Sequence, residues 1–503
     1  MNSLYIYFSL NTCLKLNVNT KVKLLLSNIH RDHYKVINQK CGFRSSSCSY
    51  FSTTDAHHVL KDGITNLPSP QEVTVILQKN EFNKEFTKGP VKSYDSNQLA
   101  SNEPIEDTRS EAVCTMSPGL LMGIFDGHGG PQCAQVVSKR LFNYIAAALL
   151  PTEVLKTFLE GGQPPEKLVE TFNDKVQILE LKLRDKYRSS FNQYLADLAQ
   201  DTEEVIVEKS LEKAILRFDS DISNEVLESF KNYGRVSQGS LAVALSGAVA
   251  CVTHIDGPHL YVANVGDCNA VLGTMTDENE WIAKKITKEH NAENFDELKR
   301  IWNEHPDSER KTVIRRDRLL GELAPLRSIG DYRYKWPAAL LKTLAAPFYG
   351  AKAVPANYYT PPYLTAMPDI FYHRLTPKDS FLILASDGLW DMMTPLQAVK
   401  LVGEHMKGKI FFNPLSLPKK NIQLGAIDEL LSHRKESLKS KPKDKNAATH
   451  LIRHAIGGTE YGVDHSRLAH LLTLAPDVSR TFRDDMTVTI AFFDPEFLRQ
   501  CPS

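Results

Sequence analysis

Uninterrupted runs of apolar residues are the clearest pattern along this 503-residue chain. Each run ends at or near an aspartate or glycine, which favours a buried strand that enters a turn. Asp-Gly-Pro separates two of the runs and predicts a β-hairpin. The predicted strand segments are LLMGIF (120–125), LAVALSGAVACVTHI (241–255), HLYVANVGDCNAVLG (259–273), FLILASDGLW (381–390) and MTVTIAFF (486–493).

Helical spacing of apolar residues dominates between these runs. From Pro131 to Leu150 apolar residues recur at three- and four-residue steps, and proline suits a first helical turn. The charged stretch 152–235 is also helix-prone, most clearly at LEKAILRFDSDI (211–222). Further helices are predicted at 395–406 and 447–456. Strands clustered towards both ends, with helices between them, predict an α+β layered fold rather than alternating βαβ units.

Composition excludes several classes of protein. Lysine and arginine number 60, as do aspartate and glutamate, so no overall basic field points to nucleic acid. No run reaches the roughly 20 apolar residues that span a bilayer, so we expect no transmembrane segment. The eight cysteines form neither a CxxC pair nor a zinc-like spacing. We therefore expect free thiols in a reducing compartment.

The first 50 residues differ from the rest in charge. They hold seven basic residues and a single acidic one, Asp32, and they are rich in serine and asparagine. This composition is typical of an organellar transit peptide, and RSSSCSYFST (44–53) resembles a region where mitochondrial presequences are cut. A basic arm with no targeting role is the alternative.

Acidic residues lie at or beside the ends of the predicted strands. A single aspartate at a strand end is usually a turn former. Several together are harder to explain in this way, because carboxylates near a buried core raise each other's pKa and bound cations remove that cost. Oxygen ligands without cysteine favour Mg²⁺ or Mn²⁺ over zinc. The acidic residues are Glu106, Asp107, Asp126, Asp267, Asp387, Asp484 and Asp485.

Glycines and a histidine strengthen this interpretation. Gly127 follows Asp126 and Gly388 follows Asp387, so the backbone can approach a ligand closely, and a glycine carbonyl can itself be a ligand. His128, between an Asp-Gly turn and two glycines, is a candidate general acid. Two adjacent cations sharing a water would activate it to attack a phosphate ester.

The motifs DGHGG, GDCNA, LASDGLWD and RDDMTV, in this order, resemble the signature of the metal-dependent protein phosphatase family of the 2C type. The resemblance covers roughly residues 100–495. It implies a four-layer α-β-β-α sandwich, in which two antiparallel sheets are flanked by helices and the metals lie at one end. The expected organisation is a transit peptide (1–52), an N-terminal extension (53–100) and a catalytic domain (101–495) with insertions near 152–235, 335–366 and 407–445.

The resemblance also implies roles for individual residues. Asp126 would bridge two Mg²⁺ or Mn²⁺ ions, the Gly127 carbonyl would bind one, and His128 would be the general acid. The remaining implied ligands are Asp387 and Asp484 at the other ion, Glu106 and Asp107 through metal-bound waters, and Asp267 and Asp391 at a third, weaker ion.

Further stretches resemble the branch of the family that acts on pyruvate dehydrogenase in the mitochondrial matrix. They include SPQEVTVILQKNE (69–81), RLLGELAPLRSIGD (318–331), YYTPPYLTAMPD (358–369) and NAATHLIRHAIG (446–457). The implied substrate is phosphoserine on the pyruvate dehydrogenase α subunit. The implied partner is a lipoyl domain of the dihydrolipoamide acetyltransferase. A regulatory subunit is a candidate second partner, and Ca²⁺ is a candidate aid to docking.

One position departs from the wider family. Many members carry an arginine four residues before the Glu-Asp pair, where it grips the substrate phosphate. This chain has Asn102 there, as that branch does, and an amide cannot make a charged bidentate contact with phosphate.

Two alternatives stay open at this point. One is the same chemistry on another mitochondrial substrate, such as a branched-chain ketoacid dehydrogenase. The other is a catalytically silent scaffold, which should have lost at least one metal aspartate; none is missing here.

Overall fold

Two antiparallel β-sheets lie at the centre of the fold in the computed structural model of this chain. The structure describes residues 67–160, 167–172, 178–409, 427–428, 431–432, 443–459 and 462–502. Its strands are β1 (Phe82–Glu85), β2 (Val91–Leu99), β3 (Thr108–Cys114), β4 (Leu120–His128), β5 (Val169–Thr171), β6 (Gly247–Asp256), β7 (His259–Val265), β8 (Asn269–Met275), β9 (Trp281–Lys285), β10 (Ile314–Arg315), β11 (Arg318–Leu319), β12 (Ile329–Gly330), β13 (Asp369–Arg374), β14 (Asp379–Ala385), β15 (Gly458–Thr459), β16 (Gly462–Val463) and β17 (Met486–Phe493).

The strand order joins distant parts of the chain. One sheet has six strands in the order β1-β2-β17-β14-β8-β9. The other has seven, in the order β13-β7-β6-β4-β3-β5, with β12 paired to β6. The short strands β10–β11 and β15–β16 form two separate ribbons.

Burial on both faces explains why the central strands read as continuous apolar runs. Successive side chains of a strand point to opposite faces. In β4, Met122 and Ile124 pack between the two sheets, whereas Leu121 and Phe125 pack under the helices. The side chains of β14 are divided in the same way. Leu384 packs between the two sheets, whereas the residues on either side of it in the strand pack on the outer face, under the helices. Both faces therefore need apolar side chains.

Helices cover the outer face of each sheet, so the predicted four-layer α-β-β-α sandwich is confirmed. They are α1 (Pro70–Gln78), α2 (Gln132–Ala148), α3 (Thr152–Glu160), α4 (Ile178–Leu198), α5 (Val207–Tyr233), α6 (Gln238–Leu245), α7 (Phe295–Glu304), α8 (Arg310–Val313), α9 (Ala338–Leu344), α10 (Ala346–Tyr349), α11 (Asp387–Trp390), α12 (Pro395–Lys409), α13 (Ala447–Gly457), α14 (His465–Leu472), α15 (Pro476–Ser479) and α16 (Pro495–Gln500). Short 3₁₀ turns lie at Asp307–Glu309 and Gly350–Ala353.

Helices α2 and α5 form the layer over the seven-stranded sheet. The predicted apolar face of α2 is buried, including Val137, Leu141 and Ile145. Arg140 of α2 pairs with Glu225 of α5 at 2.6 Å, and both side chains are buried. Since a buried charge is tolerated only when it is paired, this ion pair fixes how the two helices align.

Most of the predicted elements are confirmed, but three strand segments are wrong in part: 241–255, 259–273, which forms β7 and β8, and 381–390, whose last four residues form α11. The hairpin at Asp256-Gly257-Pro258 joins β6 to β7. The run 241–255 is not one strand, because its first residues belong to α6, which Ser237 caps by accepting a hydrogen bond from the Ser240 N–H. A continuous apolar run carries no period that separates a buried helix from a buried strand.

The expected domain limits need correction at the start of the fold. Strand β2 lies inside the six-stranded sheet and pairs with β17 from Leu99 to Val91. Residues 70–99, assigned to an N-terminal extension, are therefore part of the sandwich. Residues 152–235 likewise supply a layer of it through α5. The expected transit peptide and most of 407–445 lie outside the described residues.

The described residues bear on membrane crossing and on the state of the cysteines. None of the helices there combines the length and apolar character that a bilayer crossing requires. The cysteines in these ranges are free thiols, as expected: Cys114, Cys133, Cys251, Cys268 and Cys501.

Candidate active site

Strand pairing brings the predicted carboxylates to one end of the sandwich. Thr108 of β3 pairs with Phe125 of β4, so Asp107 lies beside Asp126. In the other sheet Ala385 of β14 pairs with Val488 of β17, and the chain beyond that end carries Asp387 and Asp484. Asp267, in the turn between β7 and β8, completes the group, because its charge acts on Asp126 along with the other three.

Glycines allow this close approach. A Cβ atom at Gly388 would lie 2.1 Å from the Asp485 carbonyl oxygen, so only glycine lets the Asp387 turn pack against the Asp484–Asp485 backbone. A Cβ atom at Gly127 would lie 2.3 Å from the Glu106 carbonyl oxygen. The Asp-Gly pairs are therefore needed for packing as well as for turning the chain.

Burial raises the pKa values of this group, and repulsion between neighbouring carboxylates adds to the effect. Burial and the carboxylates of Asp107 and Asp387 raise the pKa of Asp126 well above its usual value. Burial and the charges of Asp267 and Asp484 do the same to the pKa of Asp387. Burial, with the Asp485 carboxylate, raises the pKa of Asp107 to about 7. Burial also raises the pKa of Asp267 to about 6. Such carboxylates gain from a positive charge placed among them.

Two carboxylate oxygens lack the partners that burial normally demands. Asp387 Oδ1 and Glu106 Oε2 are buried without a hydrogen bond. Buried polar atoms are nearly always satisfied, so these two atoms are suited to a cation or a cation-bound water. In the described ranges no three His, Cys, Asp or Glu side chains already form a closed metal cage. An open, all-oxygen arrangement is what Mg²⁺ prefers, because it keeps several of its waters.

The expected third-ion residues lie at the edge of this group. Asp391 follows Asp387 by one helical turn, with its backbone N–H donating to the Asp387 carbonyl at 2.8 Å. The residue as a whole is exposed. Partial burial of its carboxyl group and the charges of Asp484 and Glu289 nevertheless raise the pKa of Asp391. Glu289 itself accepts hydrogen bonds from Asn269 and Lys285.

His128 has a partner that the sequence did not reveal. Its Nε2 lies 2.5 Å from Oδ2 of Asp331, which also accepts a hydrogen bond from Ser328 Oγ at 2.6 Å. Although burial opposes the charged imidazolium, the Asp331 carboxylate raises the pKa of His128. Gly247 makes room for the pair, since its Cβ would lie 2.1 Å from His128 Nε2.

Asp485 holds the loop that carries Asn102 and Glu106. Its carboxylate accepts hydrogen bonds from the backbone N–H groups of Ser101, Asn102 and Glu106, and from Asn102 Nδ2 at 3.0 Å. Glu106 Oε1 accepts from the Gly130 N–H at 2.7 Å, which ties the same loop to the turn after β4. We predicted Asp485 as part of an acidic cluster but not as the organiser of this loop.

The structure thus brings together every residue that the sequence singled out. A two-sheet sandwich with carboxylates gathered at one end is the architecture of a metal-dependent phosphatase. Residues 154–456 match the family described as Protein phosphatase 2C. Asp126, on β4, and Asp484, in the loop just before β17, lie outside the matched residues. The chain belongs to the protein phosphatase 2C family, whose members depend on Mg²⁺ or Mn²⁺, and it is a protein serine/threonine phosphatase.

Named relatives cover most of the chain. It is 41% identical over 451 residues to mitochondrial pyruvate dehydrogenase (acetyl-transferring)-phosphatase 1 of Homo sapiens, covering 85% of this chain and 83% of the relative. It is 40% identical over 476 residues to the corresponding phosphatase 2 of Homo sapiens, covering 90% and 89%. Phosphatase 1 of Saccharomyces cerevisiae is 30% identical over 442 residues, with 80% and 68% covered.

Proposed function

We propose that this phosphatase removes phosphate from phosphoserine on the pyruvate dehydrogenase α subunit in the mitochondrial matrix, and so reactivates that enzyme. The observation that carries the chemical part is the crowding of Asp107, Asp126, Asp267 and Asp387, whose pKa values are all raised. A folded protein keeps such repulsion where a cation relieves it.

The proposed ligand set is the one that the family resemblance implies. Asp126 would serve both divalent ions, and the carbonyl of Gly127 would be a further ligand. Asp387, with its unpartnered Oδ1, and Asp484 would complete the set. Glu106 and Asp107 would hold metal-bound waters, and Asp267 and Asp391 would serve a third, weaker ion. When bound, the ion pair lowers the pKa of a water and stabilises charge on the phosphoryl oxygens.

The side chains of this chain supply the proton transfers and the orientation. His128 keeps Nε2 against Asp331, which leaves Nδ1 to deliver a proton to the leaving serine oxygen. Asp331 accepts from Nε2–H and holds the ring in one orientation, as a carboxylate does for a catalytic imidazole elsewhere. Ser386 Oγ donates to Asp107 Oδ2 at 2.8 Å and so directs the other oxygen of that carboxylate.

Support for the substrate comes from the relatives and from one exposed surface. The named relatives above act on pyruvate dehydrogenase, and their names place them in mitochondria. In the 335–366 region, the side chains of Phe348, Tyr349 and Tyr359 are exposed. We propose that this region docks a lipoyl domain of the dihydrolipoamide acetyltransferase, with a regulatory subunit as a further partner. Calcium-assisted docking has no support among the described residues.

Of the two alternatives, the silent scaffold differs in what it predicts for catalysis. A silent scaffold would keep the fold without the crowded carboxylates, whereas every expected aspartate is in place. A branched-chain ketoacid dehydrogenase remains the competing substrate, because it would use the same chemistry.

Phosphate release from the two phosphorylated dehydrogenases, with Mg²⁺ and with a chelator, tests the proposal. We expect faster release from pyruvate dehydrogenase, and none without divalent ions. Faster release from the branched-chain enzyme would contradict the substrate assignment, and metal-independent release would contradict the mechanism.

A further inference from the structure

Asn102 cannot by itself replace the arginine that many family members carry at this position. Its Nδ2 donates to Asp485 Oδ2 at 3.0 Å, and its backbone N–H donates to Asp485 Oδ1 at 2.8 Å. The amide is therefore committed to holding its own loop. A phosphate needs several strong donors, and a guanidinium supplies two in one plane.

A neighbouring segment, residues 479–485, is tied to this loop at several points. Ser101 Oγ donates to the Arg483 carbonyl at 2.8 Å and lies 3.2 Å from Ser479 Oγ. Arg483 Nη2 donates to the Ala100 carbonyl at 2.8 Å. Together with the Asp485 contacts, these bonds fix the two backbones against each other. A side chain on residues 479–485 can therefore reach the position at which Asn102 does not bind phosphate.

Arg480 on this segment has the required properties. Its side chain is 57% exposed, and its Nη2 lies 3.8 Å from Glu106 Oε2, beyond hydrogen-bonding distance. Within the described part of the chain, the contact that its guanidinium makes with a charged group is this long ion pair with Glu106. Glu106 also accepts a hydrogen bond from the Gly130 N–H in the turn after Asp126, so the Arg480 guanidinium lies beside the carboxylate group.

Arg483 does not fit the same role. One of its guanidinium nitrogens donates to the Ala100 carbonyl, and Nε and Nη1 are buried without a hydrogen bond, closed off from a phosphate that arrives from solvent. It fixes the segment, whereas Arg480 is exposed and held only by a long ion pair, so its guanidinium can meet a ligand.

We propose that Arg480 binds the phosphate of the phosphoserine substrate and takes over the function that an arginine at position 102 performs in other family members. This assignment rests on the proposed function, because it needs a phosphate beside the carboxylate group. It makes Arg480 a substrate-binding residue that acts mainly on KM.

The test compares Arg480→Ala and Arg480→Lys in the full chain loaded with Mg²⁺. KM for a phosphoserine peptide and Ki for inorganic phosphate should both rise about 10- to 100-fold in Arg480→Ala, the usual value of a lost charged contact. The lysine variant should lose less, since it keeps the charge without the planar fork. Arg499→Ala is the matched control: Arg499 is also 57% exposed and paired with a carboxylate, and should change neither constant.

Relocating the arginine sharpens the test. In the double variant Asn102→Arg/Arg480→Ala, a guanidinium returns from the other segment and should restore most of the lost affinity for phosphate. Calorimetric binding of inorganic phosphate gives the same comparison without turnover. Unchanged phosphate binding in Arg480→Ala overturns the assignment, as does a change in Mg²⁺ affinity alone, which would mean that Arg480 only supports Glu106. Absence of phosphate release by the unaltered protein would instead refute the proposed function.

Discussion

Asp331 Oδ2 lies 2.5 Å from His128 Nε2, although the two residues are separated by 203 positions in the chain. Asp331 adopts a positive φ of 50°, is buried, and has its backbone N–H bonded to the Ser246 carbonyl. A non-glycine residue in this conformation needs support from its surroundings. The fold thus holds the carboxylate in place for the histidine.

Asp331→Asn tests whether this pair serves proton donation. We expect kcat for phosphoserine substrates to fall about 100-fold, in the range of lost general acid catalysis. The loss should be much smaller on p-nitrophenyl phosphate, whose leaving group departs without a proton.

Asp369→Asn provides the control, because Asp369 pairs with His290 at 3.1 Å in another part of the fold. Asp369→Asn should change kcat on phosphoserine substrates and on p-nitrophenyl phosphate to the same extent. Equal losses of Asp331→Asn on both substrates would show that the pair is only structural.

Asp485→Ala should destabilise the protein strongly. The change leaves the N–H groups of Ser101, Asn102 and Glu106 without their acceptor, and the first is buried. We expect a loss of about 3 kcal/mol in the free energy of unfolding, measured by urea denaturation. For comparison, Asp494→Ala removes the side-chain cap of α16 and should cost about 1 kcal/mol. Similar costs for both variants would contradict the organising role of Asp485.

The sequence predicted the strands and the carboxylates well for a physical reason. Strands such as β4 are buried on both faces, so their apolar runs are unmistakable, and the aspartates follow them directly. It could not separate α6 from β6, since LAVALSGAVACV carries no charged residue and has a serine as its single polar side chain. It could not pair His128 with Asp331 either, because no local pattern records a contact between distant segments. For the same reason, the sequence could not predict that Arg480 lies beside Glu106.

Docking predicts a large preference for the assembled substrate. Because Asn102 is tied to Asp485, Arg480 would not supply all the donors that a phosphate needs, and remote contacts should supply part of the binding energy. We expect kcat/KM about 100-fold higher on the intact dehydrogenase complex than on a short phosphopeptide. Asn102→Arg should lower KM for a small phosphate ester and narrow the difference. An unaltered enzyme that handles both equally well would contradict the docking proposal.

Import into mitochondria predicts a shortened mature protein. The basic excess in the first 50 residues favours removal of about that length. N-terminal sequencing of the protein from purified mitochondria should find a start near residue 53. Recovery of a folded protein that still begins at Met1 would rule out this processing.

The crowding around Asp126 is the central claim, and Asp126→Asn in the full chain tests it most directly. Without metal, removing one repelled carboxylate should leave the melting temperature equal or higher. With Mg²⁺, the unaltered protein should gain stability and release phosphate, whereas the variant should gain none and keep less than about a hundredth of the activity. A variant that keeps both the Mg²⁺-induced stabilisation and more activity than that would contradict a bridging role for Asp126.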